Sequence, residues 1–302
     1  MQKLAILIPV FNAKAYTEKC LENLFELIEK SIFPAEYIEI IVIDDGSTDG
    51  TEAFVKGNFP KVIVLKGNGN LWWSGAVNMG AEFAISQRSV DYILLWNNDV
   101  TASADFFDAV FHKIQEGKTN IVYGAKVYTS EERKVVWSMG GTFNHRNGDF
   151  TMIGYNQPDS VVFEREYSCN WLPGMGTLIH KSVVEKIGYW DNINFPQYHG
   201  DSDYTYRAFM NGFKIIASPD LVVWNDTTHT GLRHKGSFKN LIASLSDVKS
   251  LYNVKVNLIF FKKYAKGVFA YNYLFRMYLY YFGGFLKWKF LEKIGIEKHA
   301  NE

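Results

Sequence analysis

The chain contains 302 residues, of which 47% are hydrophobic, so one large domain or two unequal domains with a substantial core are expected. Its 32 basic and 32 acidic residues balance, which argues against a dedicated nucleic-acid-binding protein, because such proteins normally carry a basic excess. The two cysteines, Cys20 and Cys169, form neither a disulfide framework nor a zinc spacing, and they fit a reducing compartment.

The N-terminal segment carries no secretory pattern. Its apolar run, Leu4 to Val10, is too short for the core of a signal peptide and lacks a cleavage site. A continuous apolar run of this length is typical of a β-strand that is buried on both faces. We therefore expect a cytoplasmic protein whose fold begins with this strand.

Strands and helices alternate through the first part of the chain. The apolar patterns predict strands and helices in the order strand 4–10, helix 17–30, strands 37–43 and 61–65, helix 74–86, strand 91–96, helix 105–115 and strand 120–128. This alternation predicts a parallel sheet with ligands at the carboxyl ends of its strands.

The middle of the chain is less regular. Residues 135–141 and 149–153 predict a hairpin with Asn147-Gly148 at its turn. Short helices over 182–187 and 202–211 and short strands over 214–217 and 221–224 follow. After about Ser237 the composition changes to helical stretches rich in Tyr, Phe and Lys. We therefore predict an α/β domain over 1–235 and a helical, aromatic and basic extension over 236–302.

Adjacent carboxylates end the second predicted strand, where Asp44 and Asp45 begin the run Asp-Asp-Gly-Ser. A carboxylate at this place can accept a hydrogen bond from a pyrimidine ring N–H or from a ribose hydroxyl. The alternative is a turn that caps the next helix, because Asp, Ser and Gly all suit turns. The residues alone leave both interpretations open.

The fourth predicted strand also ends in polar residues, Asn97-Asn98-Asp99. A carboxylate there is well placed to bind a hard cation, since Mg²⁺ prefers one or two carboxylates together with substrate phosphates. The alternative is a polar loop that caps the following helix.

The segment Gly67 to Gly80 contains small residues and two tryptophans directly before a predicted helix. It matches neither a dinucleotide fingerprint nor a P-loop. Small residues before a helix N-terminus can let backbone amides approach a phosphate. The alternative is a glycine-rich turn with Trp72 and Trp73 in the core.

Two further segments carry titratable groups. The run His199 to Tyr204 contains Asp201 and Asp203 at the start of a helix, where Asp201 is either a functional carboxylate or only an N-cap. The run Thr227 to Ser237 contains His229 among basic residues, a composition that suits a diphosphate or a metal. An ordinary surface loop is the alternative for the second segment.

Taken in chain order, these motifs resemble the family 2 inverting glycosyltransferases, which have the GT-A fold. The resemblance covers residues 4–235 and rests on Pro9-Val-Phe-Asn12, Asp44-Asp45-Gly-Ser, Asn68 to Gly80, Asn97-Asn98-Asp99 and Asp201-Ser-Asp203. It implies an α/β fold with a mostly parallel central sheet flanked by helices and with a C-terminal helical extension. The Leu71-Trp72-Trp73 run is similar to a bacterial, rhamnosyltransferase-like subgroup.

The resemblance also implies a role for each matching residue. Asp201 would be the catalytic base, and Asp99 and His229 would hold Mg²⁺ or Mn²⁺ on the diphosphate. The residues implied to bind the donor nucleotide are Pro9, Asn12, Asp44, Asp45, Asn78 and Asn98. Those implied to shape the sugar and acceptor pocket are Trp72, Trp73, Trp171, Gly174 and Asp203. Two positions depart from the family pattern, because Asn97 stands for the first Asp of Asp-x-Asp and Gly200 replaces a Glu.

The function implied by the resemblance is a metal-dependent, inverting, hexosyltransferase-like activity in bacterial surface polysaccharide synthesis. The donor would be a UDP- or dTDP-sugar, the acceptor a glycan or a lipid-linked saccharide. One alternative is a sugar nucleotidyltransferase, but its Gly-rich, Arg-containing loop is not found after the first strand. The other is a non-catalytic carbohydrate-binding or scaffold protein, against which Asp99 and Asp201 both argue.

The C-terminal extension suggests peripheral membrane contact. Residues 255–302 contain nine basic and three acidic residues, and the aromatic stretch from Val268 to Leu286 is interrupted by Asn272, Arg276 and Gly283. This stretch is too polar to span a bilayer, but aromatic and basic residues suit the membrane interface. We expect contact with the cytoplasmic face of the inner membrane. The alternative is a helical pair that packs on the catalytic domain or on a second subunit.

Overall fold

The computed structural model describes residues 1–129, 135–226 and 237–294. The helices are α1 (Lys14–Lys30), α2 (Thr51–Asn58), α3 (Trp72–Arg88), α4 (Phe106–Gln115), α5 (Lys181–Ile187), α6 (Gly200–Met210), α7 (Phe238–Ser244), α8 (Val254–Tyr264) and α9 (Tyr271–Lys293). The strands are β1 (Leu4–Val10), β2 (Ile38–Asp44), β3 (Ile63–Lys66), β4 (Tyr92–Leu95), β5 (Val100–Ala102), β6 (Ile121–Thr129), β7 (Val135–Ser138), β8 (Gly141–Phe143), β9 (Phe150–Met152), β10 (Gln157–Pro158), β11 (Tyr167–Cys169), β12 (Thr177–His180) and β13 (Lys214–Asn225).

The chain divides into two compact units. The first comprises Met1–Thr142 and Thr151–Thr228, and the second comprises Phe143–Phe150 and His229–Glu302. The second unit therefore contains a short segment that is inserted in the sequence of the first.

The first unit is built on one large sheet whose centre has the order β3-β2-β1-β4, with all of these strands parallel. Beyond β4, strand β12 pairs antiparallel with both β4 and β6, and β13 runs parallel to β6. The predicted α/β architecture is confirmed, with parallel pairing at the centre and antiparallel strands outside it. The predicted hairpin differs in detail, because β8 and β9 form it while β7 pairs with β6 and β10.

Strand β1 shows why the central strands are apolar along their whole length. Leu4, Ile6 and Ile8 pack in a core that includes α1 and α4, whereas Ala5 and Leu7 pack in a second core that includes α3. Each of these side chains is fully buried. Because successive residues of a strand point to opposite faces, a strand covered by helices on both sides has no solvent-facing position.

The register of the central strands brings their carboxyl ends to one edge of the sheet. Val10 at the end of β1 lies beside Asp44 at the end of β2, and Leu7 of β1 lies beside Leu95 at the end of β4. The polar segments that follow β1, β2 and β4 therefore emerge at the same edge.

The second unit consists of α7, α8, α9 and the turn between β8 and β9. The Phe143 ring packs edge-on against Phe260 and Phe261 of α8, with centroid distances of 5.2 and 5.5 Å. Tyr281 of α9 stacks on Tyr252 at 3.6 Å. Among the helices that the structure describes, none combines the length and apolar character needed to cross a bilayer.

Candidate active site

The Asp45 carboxylate organises the loop between β3 and α3. Its Oδ1 accepts the backbone N–H of Gly69 at 2.8 Å, and its Oδ2 accepts those of Leu71 and Trp72 at 2.8 and 3.0 Å. Asp45 is only 6% exposed. Hydrogen bonds to an ionised acceptor are stronger than neutral ones, so this carboxylate fixes the loop. Its predicted contact with the nucleotide stays a prediction.

The first amides of α3 are used within the protein. Trp73 N–H donates to Gln197 Oε1 at 3.2 Å, and Ser74 N–H donates to the Pro196 carbonyl at 2.9 Å. Together with the bonds of Leu71 and Trp72 to Asp45, these contacts satisfy the donors that a helix N-terminus leaves open. These amides are therefore occupied by protein groups in this structure, and the suggestion that amides of this segment approach a phosphate stays a prediction.

The ends of β1 and β2 are joined by side-chain hydrogen bonds. Asn12 N–H donates to Ser47 Oγ at 2.8 Å, and Asn12 Oδ1 accepts Thr48 N–H at 2.7 Å. Asp44 Oδ1 accepts Ser47 N–H at 2.7 Å, while its Oδ2 is buried without a hydrogen-bond partner. Pro9 lies in β1 one residue before the strand end. The predicted nucleotide-binding residues Pro9, Asn12 and Asp44 are thus neighbours at one edge.

A second carboxylate, which the sequence analysis did not select, lies beside Asp99. The N–H of Asp226 donates to the Asp99 carbonyl at 3.0 Å, next to the pairing of Asn225 with Val100. Asp99 Oδ1 is buried without a hydrogen-bond partner. Burial raises the pKa of the Asp99 carboxyl to about 6, and the charge of Asp226 contributes to this shift. Two neighbouring carboxylates, one desolvated, favour a bound cation.

No group of three or more His, Cys, Asp or Glu side chains that could hold a metal occurs among the residues that the structure describes. The predicted ligand His229 lies outside these residues. A site formed by Asp99 and Asp226 nevertheless fits a magnesium-type ion, because such an ion is commonly bound by one or two carboxylates and completes its shell with phosphate and water.

The Trp73 ring connects three polar segments. Its Nε1–H donates to Asn97 Oδ1 at 3.1 Å, beside Asp99. A Cβ on Gly174 would overlap the same ring, and a Cβ on Gly200 would lie 3.2 Å from it. Any larger residue at Gly174 would therefore displace the indole. Trp73 thus positions the loop after β4 against the loop before β12 and the start of α6.

Asp201 occupies the first turn of α6. Its Oδ2 accepts Gly174 N–H at 3.0 Å, and its Oδ1 accepts Ser202 N–H at 2.7 Å. Burial raises the pKa of the Asp201 carboxyl above its usual value, although these backbone hydrogen bonds act in the opposite direction. A carboxylate with a raised pKa is a better proton acceptor near neutral pH than an ordinary one.

Asp203 differs from Asp201 in its surroundings. Its side chain is 0% exposed, and it lies 3.5 Å from Arg207 Nε. Arg207 in turn donates to the backbone carbonyls of Ile187 and Tyr189 at 2.6 and 2.7 Å. Asp203 therefore belongs to a partly buried ion pair that anchors the loop before α6. Its predicted place in the sugar and acceptor pocket stays a prediction.

The remaining predicted residues make contacts within the first unit. Both side-chain groups of Asn78 bond to the Trp190 backbone, at 2.8 and 2.9 Å. Asn98 Nδ2 donates to Thr17 Oγ1 at 3.2 Å. Trp171 is 5% exposed, whereas Trp72 is partly exposed and has a positive φ of 55°. Asn78 and Asn98 thus hold other segments of the first unit in place. Contacts of Asn78, Asn98, Trp72 and Trp171 with a ligand stay predictions.

A model of the family described as glycosyl transferase family 2 matches residues 5–172, which is more than half of the chain. The chain therefore belongs to glycosyl transferase family 2. This confirms the family predicted from the motifs and removes the nucleotidyltransferase alternative. The rhamnosyltransferase-like subgroup stays a prediction.

Curated relatives from Bacillus and Streptococcus species match most of the chain. The probable glycosyltransferase YdaM of Bacillus subtilis is 23% identical over 76% of this chain and 52% of its own length. The poly(ribitol-phosphate) beta-glucosyltransferase of Bacillus spizizenii is 24% identical over 87% of this chain and 40% of its own length. Glycosyltransferase GlyG of Streptococcus pneumoniae is 26% identical over 84% of this chain and 79% of its own length. The chain thus spans about half or less of the first two relatives.

Solved structures share the fold at low identity. TarS of S. aureus (residues 1–349), crystallised with UDP-GlcNAc, has a TM-score of 0.53 at 16% identity, covering 84% of this chain and 69% of that chain. GalNAc-T7, crystallised with UDP, GalNAc and Mn²⁺, has a TM-score of 0.57 at 14% identity, covering 82% of this chain and 48% of that chain. These similarities confirm the predicted GT-A fold.

The raised pKa of Asp99 predicts an unusual pH dependence of stability. Because the folded pKa of about 6 exceeds the ordinary value of 3.8, Asp99 lowers stability progressively as pH rises between these values, and the whole loss is present above pH 6. In metal-free buffer, Asp99→Asn should therefore raise the free energy of unfolding at pH 7.5 by roughly 2–3 kcal/mol. The gain should vanish near pH 4. Denaturant titrations at several pH values measure it.

Asp91→Asn is the matched control with the opposite sign. Burial acts to raise the pKa of Asp91, but the hydrogen bonds from Lys181 and the Lys3 backbone lower it overall. This control should lose stability at pH 7.5 and lose less at low pH. An Asp99→Asn protein that is no more stable than the wild type at pH 7.5 would show that Asp99 carries no desolvation cost.

Proposed function

We propose that this protein is an inverting, divalent-metal-dependent glycosyltransferase. It transfers a sugar from a nucleotide-diphosphate donor to an acceptor hydroxyl during synthesis of a bacterial surface glycan. Family membership and the relatives named above support the reaction class. One relative is named a beta-glucosyltransferase. A β linkage is the one that inversion at the anomeric carbon of an α-linked donor would give. The observation that carries the proposal is the arrangement of Asp201 against the Gly174 loop and Trp73.

Asp201 has the properties of a general base for this reaction. Its two oxygens are oriented by the Gly174 and Ser202 amides, and the residue as a whole is partly exposed. Gly200 before it has no side chain, and a Cβ there would overlap Ser74 Oγ. The carboxylate is thus held in one position by packed backbone, as a catalytic group requires.

Inversion needs a single displacement at the anomeric carbon. The acceptor oxygen forms the new bond on the face opposite the diphosphate, and the bond to the diphosphate oxygen breaks with its electron pair. Asp201 accepts the acceptor proton as this oxygen attacks. General-base catalysis of this kind contributes about 10²–10⁴-fold. A second carboxylate nucleophile is not needed, because no covalent intermediate forms.

Asp201→Asn should give a folded, donor-binding protein whose transfer rate is at least about 10²-fold lower, because an amide cannot take the proton. The measurement is nucleotide diphosphate released from a panel of nucleotide sugars with Mn²⁺ and a glycan acceptor. Asp203→Asn is the comparison, and we expect it to reduce thermal stability, since it leaves Arg207 without its carboxylate. Retained activity in Asp201→Asn would remove this residue as the base. A wild type that is inactive with every donor would favour the non-catalytic alternative.

The donor in this proposal is a UDP- or dTDP-sugar. Asn12 and Asp44 lie where β1 and β2 end together, and the loop held by Asp45 lies beside them. Two structural neighbours were crystallised with UDP or a UDP-sugar, which supports a pyrimidine nucleotide. Asp44, with one buried and unpaired oxygen, could accept a hydrogen bond from a group of the bound nucleoside after a small rearrangement.

Asp99 and Asp226 would hold Mg²⁺ or Mn²⁺, and His229 remains a predicted ligand. When bound, the ion would neutralise charge that develops on the leaving diphosphate. One of the structural neighbours was crystallised with Mn²⁺, which supports this choice of metal. Asn97 stands where the family pattern has the first Asp of Asp-x-Asp, and Asp226 would supply the carboxylate that is absent there.

Asp99→Asn and Asp226→Asn should each weaken Mn²⁺ binding in the presence of UDP by about tenfold or more, because each removes one anionic oxygen ligand. Electron paramagnetic resonance of free Mn²⁺ measures the affinity independently of transfer. Asp220→Asn is the control, since Asp220 lies on β13, the strand directly before Asp226, and pairs with Lys113. Unchanged Mn²⁺ affinity in Asp226→Asn would remove Asp226 from the site.

The acceptor in this proposal is a glycan or a lipid-linked saccharide, and the second unit makes peripheral contact with the cytoplasmic membrane face. Helix α9 carries an exposed apolar stripe, formed by Phe275 (64% exposed), Leu279 (54%), Leu286 (65%) and Phe290 (64%). Their spacing of 4, 7 and 4 residues places them on one helix face. The adjacent exposed Arg276 and Lys287 suit anionic headgroups.

Leu279→Asp should reduce the partition of the full chain into anionic vesicles about tenfold, because it removes an apolar contact and adds a repelled charge. Flotation at low salt with phosphatidylglycerol vesicles measures this. Val161→Asp is the control, because Val161 is 78% exposed and belongs to the first unit. Equal flotation of the two variants, or none for the wild type, would contradict membrane contact through α9.

A further inference from the structure

A groove of about 570 Å³ lies in the second unit, along the outer side of α8. Its apolar lining comes from Leu245, Val254, Leu258 and Ile259, and two of its other lining residues are Lys255 and Lys262. The opposite side of α8 is buried through Asn257, Phe260 and Phe261. The groove is therefore distinct from the surface by which α8 packs in its own unit.

The lining is apolar although it faces solvent. Leu258, which lines the groove, is 45% exposed. Exposed apolar surface in a concave site is typical of a ligand-binding groove. A small hydrophilic anion would leave this surface uncovered, so the lining favours an occupant with a hydrocarbon portion.

The charge at the groove has one sign. Lys255 and Lys262 are seven residues apart on α8, which places them about 10 Å apart along one helix face. No acidic side chain lines the groove. Among the residues that the structure describes, neither lysine forms an ion pair with a carboxylate. Asp247, nearby in sequence, directs its carboxylate to the Lys249 N–H at 2.7 Å.

We propose that this groove binds an acyl chain of an anionic membrane lipid, with the lipid phosphate near Lys255 and Lys262. A second copy of the chain is a poorer occupant, because a symmetric contact would place the same lysines opposite each other. This inference deepens the proposed membrane contact and rests on it, but it concerns a different helix from the α9 stripe and can fail separately.

The test uses a monomeric lipid, so that insertion in a bilayer plays no part. The full chain is titrated with dihexanoylphosphatidylglycerol below its micellar concentration, and binding is followed by calorimetry. We expect saturable 1:1 binding that is at least several-fold tighter than that of dihexanoylphosphatidylcholine. Glycerol phosphate alone should not bind measurably. Each methylene added to the buried chain should tighten binding by up to about fourfold.

Two variants assign the binding to the groove. Leu258→Asp should weaken it about tenfold or more, whereas Leu251→Asp should not, because Leu251 is 62% exposed in the same unit and does not line the groove. The double variant Lys255→Gln and Lys262→Gln changes only exposed side chains, and it should remove the preference for the anionic lipid.

Several results would overturn the proposal. The first is absence of saturable binding of the monomeric lipid, and the second is binding that survives Leu258→Asp. A dimer in solution that Leu258→Asp dissociates would assign the groove to a second copy instead. Vesicle flotation that depends on Leu279 without any binding of the monomeric lipid would refute the groove and leave the α9 contact intact. Monomer binding together with flotation that does not depend on Leu279 would support the groove and refute the contact through α9.

Discussion

The arrangement of the first unit's site depends on the Asp45 carboxylate and the three backbone amides that it accepts. This charged acceptor at the end of β2 fixes the loop after β3 and the point where α3 begins, including the positive φ of Trp72. A buried carboxylate left without these donors would carry a large desolvation cost, so the loop and the carboxylate stabilise each other. The position of Trp73 is a direct consequence.

From that position, the Trp73 indole acts as a spacer between segments that are far apart in sequence. Its ring nitrogen donates to Asn97 Oδ1, and the ring lies close to Gly174 and Gly200, which have no side chain to displace it. Protein interiors are close-packed, so the location of the ring sets the separation of these segments. We assign chemistry to two carboxylates near this ring. Asp99 lies two residues after Asn97, which accepts a hydrogen bond from the ring, and Asp201 directly follows Gly200, which lies close to it.

Sequence patterns predicted the central architecture because its causes are local. The apolar run of β1 reflects burial on both faces, and polar residues after β2 and β4 mark the strand ends. Asp226 was missed because its relation to Asp99 arises from the pairing of β13 with β5, between residues more than a hundred positions apart. The hairpin prediction misplaced its first strand, because β7 pairs with β6, the strand that precedes it in sequence, and with β10, which leaves β8 to pair with β9.

The sequence by itself determined the strand–helix alternation, the family and the identity of the polar groups at the strand ends, because periodicity and motif spacing depend on neighbouring residues. Only the tertiary structure decided how these groups are used. It committed Asp45 and Asn78 to backbone amides and carbonyls, buried Asp203 against Arg207 and left Asp201 partly exposed. Asp201 and Asp203 thus differ in their surroundings although they are only two residues apart. Burial and hydrogen-bond partners set the energy of a charged group, and both are supplied by segments that are distant in sequence.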